Sequence, residues 1–259
     1  MPVRARRKVL AIDATDDLLA VWAGWFAPAV QPFLVGATSP LAARGRRRRG
    51  SLPPELRDTY GVYGLPDGVT WRWFDETAFC ALSRDERAAL VRAQVQHGRE
   101  LVPTVRAWST YAWQAIREQG DGHRFVWWPS LLRGHEREVL GQYVEDGRRP
   151  SRHADVPREV WSRASVVLPR AQALAGTFAP GSGPNCFGTV MGATGVPGAA
   201  EQWMQRDPFE RWLRRSAQPG GGDDDPGTVL VWRSTDGLVQ HAAVTLGSGS
   251  PCTSRPRDG

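Results

Sequence analysis

Residues 18–43, LLAVWAGWFAPAVQPFLVGATSPLAA, carry no charged side chain, and this stretch bears first on the medium in which the chain folds. A window of this length is long enough to cross a bilayer as a helix. Pro28, Gln31 and Pro32 interrupt it, since proline removes a backbone donor and clashes with the preceding helical turn. The expectation is a buried or interfacial helical hairpin in a cytoplasmic protein, with membrane association through residues 18–43 as the alternative. The opening MPVRARRKVL is basic like the start of a signal peptide, but Asp13, Asp16 and Asp17 stand where the apolar run should begin, so no conventional signal peptide is expected.

The net charge of +6 comes from 33 basic against 27 acidic residues. Lys8 is the only lysine, and isoleucine occurs only at 12 and 116, a skew that GC-rich coding produces. Basicity therefore does not single out nucleic acid as a partner. Arg44 to Arg49, with Gly45 interposed, form a basic loop that is expected to be solvated. No aromatic residue alternates with these arginines to offer a stacking platform. Cys80, Cys186 and Cys252 are odd in number and widely spaced, which indicates neither a disulfide framework nor a zinc ribbon. His97, His123, His135 and His153 lack ligand spacing, and the aspartates at 223–225 sit in a glycine loop without the alternation a calcium loop needs, so neither metal nor organic cofactor is expected.

Ser83 and Glu86 form a capping box opening a helix over 84–97, with Ala88, Val91 and Val95 on one face. Val105, Trp108, Ala112 and Ala115 predict a second helix from Pro103 to Gln119, and the aromatics of WRW at 71–73 are expected in a core. Polar residues and prolines crowd together at 145–157, dividing the chain into a mainly helical part, 1–150, of unassigned role, and a second part, 151–259. Pro157 begins a helix carrying Val160, Ala164, Val167, Ala171 and Leu174, kinked at Pro169 and ended at Gly176. Asp207 is read as the cap of a helix that buries Phe209, Trp212 and Leu213. TVLVWR and LVQHAAVTLG, joined by STDG, read as a β-hairpin. The fold class is α+β.

Chemistry concentrates in GSGPNCFGTV, residues 181–190. Asn185 is a favoured N-cap residue, which places Cys186 in a first helical turn. There the aligned peptide dipoles favour a thiolate and should lower its pKa. An isolated cysteine is more simply a small apolar core residue, and what singles this one out is a partner. Val239, His241, Ala243 and Thr245 share one face of the second strand, and the small residues around the imidazole leave room for the cysteine helix to approach. Cys186 as nucleophile and His241 as base are sufficient for cysteine hydrolysis. Cys80, in the apolar run TAFCAL, is expected to be inert.

Over residues 157–249 the chain resembles the NlpC-like papain-fold cysteine peptidases and amidases. A glycine-rich turn and a Cys-x-Gly motif appear as NCFGTV, a Pro-Gly-led strand as PGTVLVWR, and a histidine strand ending in glycine as HAAVTLGSG. The resemblance implies a papain-like helix-plus-antiparallel-sheet half, hydrolysis of a peptide or other amide bond by Cys186 and His241, and no cofactor. Two positions depart from the family pattern: Asn185 replaces an aspartate, and Phe178 stands near a tyrosine that helps bind the oxyanion. That leaves backbone N–H groups at the helix start, including that of Cys186, as oxyanion donors. The alternative function is a non-catalytic module that binds nucleic acid or a membrane surface through the arginine loop.

The sequence from about Ser250, SPCTSRPRDG, lacks strand period and is expected to be a frameshifted tail, leaving the sheet incomplete and the chain inactive. Read two nucleotides later, the second codon must encode Leu, Met or Val and the third His or Tyr. A histidine would then stand at position 253, where the resembled family has a polar residue orienting the catalytic imidazole.

Overall fold

The computed structural model describes residues 8–48, 50–108, 110, 113–179, 181–247, 251 and 252. It is an α+β protein that divides into two compact units, Thr15–Asp146 and Met1–Ala14 with Gly147–Gly259. The strands β1 (Lys8–Val9) and β2 (Ile12–Asp13) pair around a turn in which Leu10 and Ala11 both have positive φ, and the Leu10 carbonyl accepts from the Ser151 N–H.

In Thr15–Asp146, helix α1 (Asp16–Phe26) leads into strand β3 (Val30–Gly36). Residues 18–43 are thus helix then strand, not a helical hairpin. Residues 31–35 of β3 are all buried, and an apolar run covered on both faces has no period that separates strand from helix. After α2 (Pro54–Tyr60), strand β4 (Val69–Asp75) pairs antiparallel with β3 from Val30↔Asp75 to Gly36↔Val69. Helices α3 (Glu76–Cys80) and α4 (Arg84–Gln96) follow, α4 opened by the expected capping box of Ser83 and Glu86. Its buried face is Ala88, Leu90, Val91 and Gln94, whereas Val95 is exposed.

Gln94 acts as a substitute strand, accepting from the Leu34 N–H at 2.8 Å and donating to the Leu34 carbonyl at 2.9 Å. Leu34 therefore points its backbone groups away from β4, as does Pro32 two residues earlier, so the missing proline N–H removes no ladder bond. The Pro32 carbonyl accepts from the buried Arg99 guanidinium, which stacks 4.0 Å from the Tyr60 ring centroid. The expected helix over 103–119 is instead a 3₁₀ turn at Val105–Trp108 followed by α5 (Trp113–Glu118), with 109, 111 and 112 outside the described residues. Helices α6 (Pro129–Leu132) and α7 (Glu136–Glu145) complete the unit. Among the described residues no helix is long and apolar enough to cross a membrane.

In the other unit, α8 (Arg158–Ala164) and α9 (Ala171–Leu174) are separate helices. Pro169 stands between them, so the expected kink is a break, and Val167 lies outside the apolar face. Helix α10 (Cys186–Ala193) is buried at every residue except Thr189. Helix α11 (Arg206–Ser216) begins two residues earlier than expected, with Gln205 as N-cap, Asp207 in its first turn and Phe209 buried. The rings of Phe209 and Phe187 stack at 4.6 Å. Strands β5 (Val229–Arg233), β6 (Val239–Thr245) and β7 (Pro251–Cys252) form an antiparallel sheet in that order. The start of the expected tail thus adds a short strand, pairing Pro251 with Thr245 and Cys252 with Val244, while residues 253–259 lie outside the described residues.

Glycine sets how closely α10 packs. A Cβ on Gly188 would lie 2.3 Å from the Ala199 carbonyl oxygen, and one on Gly192 would lie 2.5 Å from the Ala200 Cβ. The first clash is with backbone, which cannot rotate aside. Gly188→Ala should therefore destabilise the protein by about 1–3 kcal/mol. Gly24, inside α1 with open space around its Cβ position, should gain about 0.5–1 kcal/mol as Gly24→Ala from helix propensity. Urea denaturation of the two variants measures both signs.

Candidate active site

Cys186 is the first residue of α10, with Asn185 as N-cap, as the sequence predicts. Both ends of the Asn185 amide are used: Oδ1 accepts from the Gly188 N–H at 3.0 Å, and Nδ2 donates to the Met204 carbonyl at 2.8 Å. The second bond gives a reason for asparagine here, because an aspartate would set a carboxylate oxygen against that carbonyl.

The thiol is buried, and burial holds its pKa above the ordinary thiol range. Backbone N–H groups near the sulfur, those of Ala242, Phe187 and Cys186 itself, pull the other way, but desolvation outweighs them. The thiolate expected from the helix-start position is therefore not the resting state. Burial also holds the His241 imidazole below its ordinary value. Both shifts favour the uncharged forms, so the resting pair is a neutral thiol and a neutral imidazole.

The core that Cys186 shares with Ala242 places the sulfur near β6. The Thr245 N–H bonds to Thr228 on the β5 side of β6, and backbone groups alternate sides along a strand, so the Ala242 N–H points away from β5. Among the described residues β7 pairs with Val244 and Thr245. Cys186 packs in the core with Ala242, the residue after His241.

The faces of β6 differ from the sequence expectation. Ala242, Val244 and Leu246 pack with Cys186, Phe187, Val190 and Met191 in one core, so alternation turns His241 and Ala243 to the other face. Trp232 pairs with His241 and Arg233 with Val239, which makes Gln240 an extra residue, a β-bulge. The bulge moves Val239 onto the core face, apart from His241. The imidazole thus stands on the face of β6 opposite the residues that pack with Cys186, contrary to the expectation that it faces the cysteine helix. His241 Nδ1 is buried and has no hydrogen-bond partner among the described residues. The ring of Trp232 lies beside the imidazole, centroids 5.1 Å apart. Counting back from the pair Arg233↔Val239 at the STDG turn puts Gln240 opposite Trp232, and only the bulge brings His241 there, so no signal in the sequence marks this tryptophan.

Cys80 is exposed, contrary to expectation, because Phe79 is the buried residue of the short helix α3. The arginine loop is not simply solvated. Arg46 exchanges both backbone hydrogen bonds with Trp73, Arg46 and Arg44 pair with Asp75 and Glu86 at 3.2 Å, and the Arg48 guanidinium lies 4.5 Å from the Trp73 ring centroid. Among the described residues no group of three or more His, Cys, Asp or Glu side chains could hold a metal ion. No protein-family model, curated protein or solved structure matches the chain.

In a Cys80→Ser background, the rate of Cys186 alkylation by iodoacetamide should rise with pH through a midpoint above the free-thiol value of about 8.5. Raising pH removes the sulfur proton, and burial delays that loss. A rate already maximal at pH 7, the sign of a resting thiolate, would contradict the neutral pair. Asn185→Asp should move the midpoint higher still, because a negative charge beside the sulfur opposes the thiolate.

Proposed function

We propose that the chain is a cysteine hydrolase acting on a peptide or other amide bond through Cys186 and His241. The observation that supports this reading is the buried thiol at the start of α10, packed in one core with Ala242, next in the chain to a His241 whose buried Nδ1 has no hydrogen-bond partner among the described residues. The resemblance to NlpC-like peptidases implies the same pair and a papain-like arrangement of this unit. A neutral imidazole with a buried, unpartnered nitrogen keeps a lone pair able to take the thiol proton. Catalytic hydrogen bonds are often long in the free enzyme and tighten when substrate binds.

In the acylation step the Cys186 sulfur attacks the carbonyl carbon while its proton passes to the imidazole. The carbonyl π pair moves to oxygen. The Cys186 N–H, at the first helical position with no carbonyl four residues back to serve, is the candidate oxyanion donor. Collapse breaks the C–N bond, and the imidazolium gives its proton to the departing nitrogen, leaving a thioester. Water, deprotonated by the imidazole, then releases the acid and restores the thiol.

The alternative, a nucleic-acid or membrane-surface module, is less well supported because Arg44, Arg46 and Arg48 already have partners within their own unit. The test is acylation by p-nitrophenyl acetate. A stoichiometric burst of p-nitrophenol, with the acetyl group on Cys186 by mass spectrometry, is expected. Cys186→Ala should abolish that adduct, and His241→Gln should slow the burst by about 10²–10⁴-fold. A burst unchanged in His241→Gln would overturn the proposal.

A further inference from the structure

We infer that Trp232 positions the His241 imidazole, taking the orienting role that a third polar side chain plays in a Cys-His-polar triad; the inference rests on the Cys-His reading above. Three observations converge on this tryptophan. The first is register. Trp232 and His241 are direct cross-strand partners, and the extra residue Gln240 follows immediately, where Arg233 skips to Val239. Moving the pairing by one residue would turn the indole to the opposite face, and the bulge fixes it where it is. The end of β5 is pinned as well, since Arg233 donates to the Gly237 carbonyl at 2.8 Å and pairs with Glu210 at 3.5 Å.

The second observation is the ring contact. The indole and imidazole centroids are 5.1 Å apart at 41°. The third is the lack of another restraint: Nδ1 of His241 is buried with no hydrogen-bond partner among the described residues. A histidine base is ordinarily fixed in rotamer and tautomer by a hydrogen bond to one nitrogen. Here the flat face of a neighbouring ring is the visible constraint on χ1 and χ2.

Core packing does not account for the tryptophan. The core-facing position next to it belongs to Val231, which packs with Ala242 and Val244, whereas Trp232 is 47% exposed. A large apolar side chain is thus held at the surface over the imidazole, where it limits the access of water to the ring. The contact restrains the ring without supplying an acceptor, so it adds no negative charge beside the imidazole. The charged groups nearest along the chain and across the turn, Arg233, Asp236 and Arg206, are engaged with Gly237, with Ser234 and Leu238, and with the Val239 carbonyl respectively.

The experiment compares the p-nitrophenol burst of the full chain with that of Trp232→Phe, Trp232→Val, Trp232→Thr and His241→Gln. Phenylalanine keeps a ring opposite His241 and should hold the burst rate within about threefold, whereas a misplaced base can cost about 10²-fold, the loss expected for valine and threonine. Both ringless residues favour strands, so at least one variant should keep the parental urea midpoint. Imidazole ¹⁵N resonances, with that of His241 assigned by its loss in His241→Gln, should move in the ringless variants and be restored in Trp232→Phe. A folded Trp232→Val or Trp232→Thr protein that acylates at the parental rate, while His241→Gln is slow, overturns the inference and leaves the Cys-His reading standing. A His241→Gln burst at the parental rate overturns both.

Discussion

The close approach of α10 to the segment Ala199–Met204 is the constraint on which the candidate site depends. Gly188 and Gly192 let the helix lie against the Ala199 carbonyl and the Ala200 side chain at distances no larger residue permits. Asn185 clamps the helix start to Met204, and Phe187 stacks on Phe209 of α11. With α10 fixed on that side, its apolar side chains, Cys186 among them, fill the core formed with β6. The position of the sulfur is thus set by packing along the whole helix, and not by any contact that the thiol itself makes.

That packing has an electrostatic consequence. A helix start offers a thiolate unpaired N–H groups and a favourable dipole, which in a solvated loop lower a thiol pKa. Here the same donors reach the sulfur in a desolvated setting, and the cost of burying a charge exceeds what they return. The imidazole is subject to the same burial with the opposite sign, because its charged form is the protonated one. A neutral pair has no Coulomb attraction to hold it together. Steric and ring contacts then decide where the imidazole stands, and the ring beside it is the indole of Trp232.

The unit Thr15–Asp146 shows where arginine in this chain is used. Arg99 is buried between the rings of Tyr60 and Phe33 and donates to the Pro32 carbonyl and to Gln31 Oε1. A guanidinium suits such a site because its planar faces stack and its edge donates in fixed directions. Burial lowers the Arg99 pKa and pushes that of Tyr60 up to about 12. Arg46 extends the β4 edge through its backbone, and Arg48 covers Trp73. A positive composition spent on internal contacts leaves less charge for an external polyanion.

Local signals were legible in the sequence where one short motif decides the outcome. The capping box at Ser83, the Asn185 cap and the hairpin through Ser234–Gly237 each depend on a few adjacent residues. What could not be read required knowledge of a distant partner. β3 looked helical because the features that make it a strand, the pairing with β4 and the side chain of Gln94, lie far along the chain. Cys80 looked buried because an apolar run does not reveal which side of a short helix faces inward. The face of His241 was misassigned for a subtler reason. Strict alternation from Val239 carries through LVQHAAV without an anomaly, and the residues on both faces are small or apolar, so the pattern accommodates a bulge as readily as an unbroken strand. The bulge falls at Gln240, where an exposed polar residue can be added without burying an unpaired side chain. Its effect is to keep Val239 in the core while His241 stands beside Trp232 on the other face. Without the extra residue, alternation would send Val239 and His241 to the same face, and either the core would lose a valine or the imidazole would enter it.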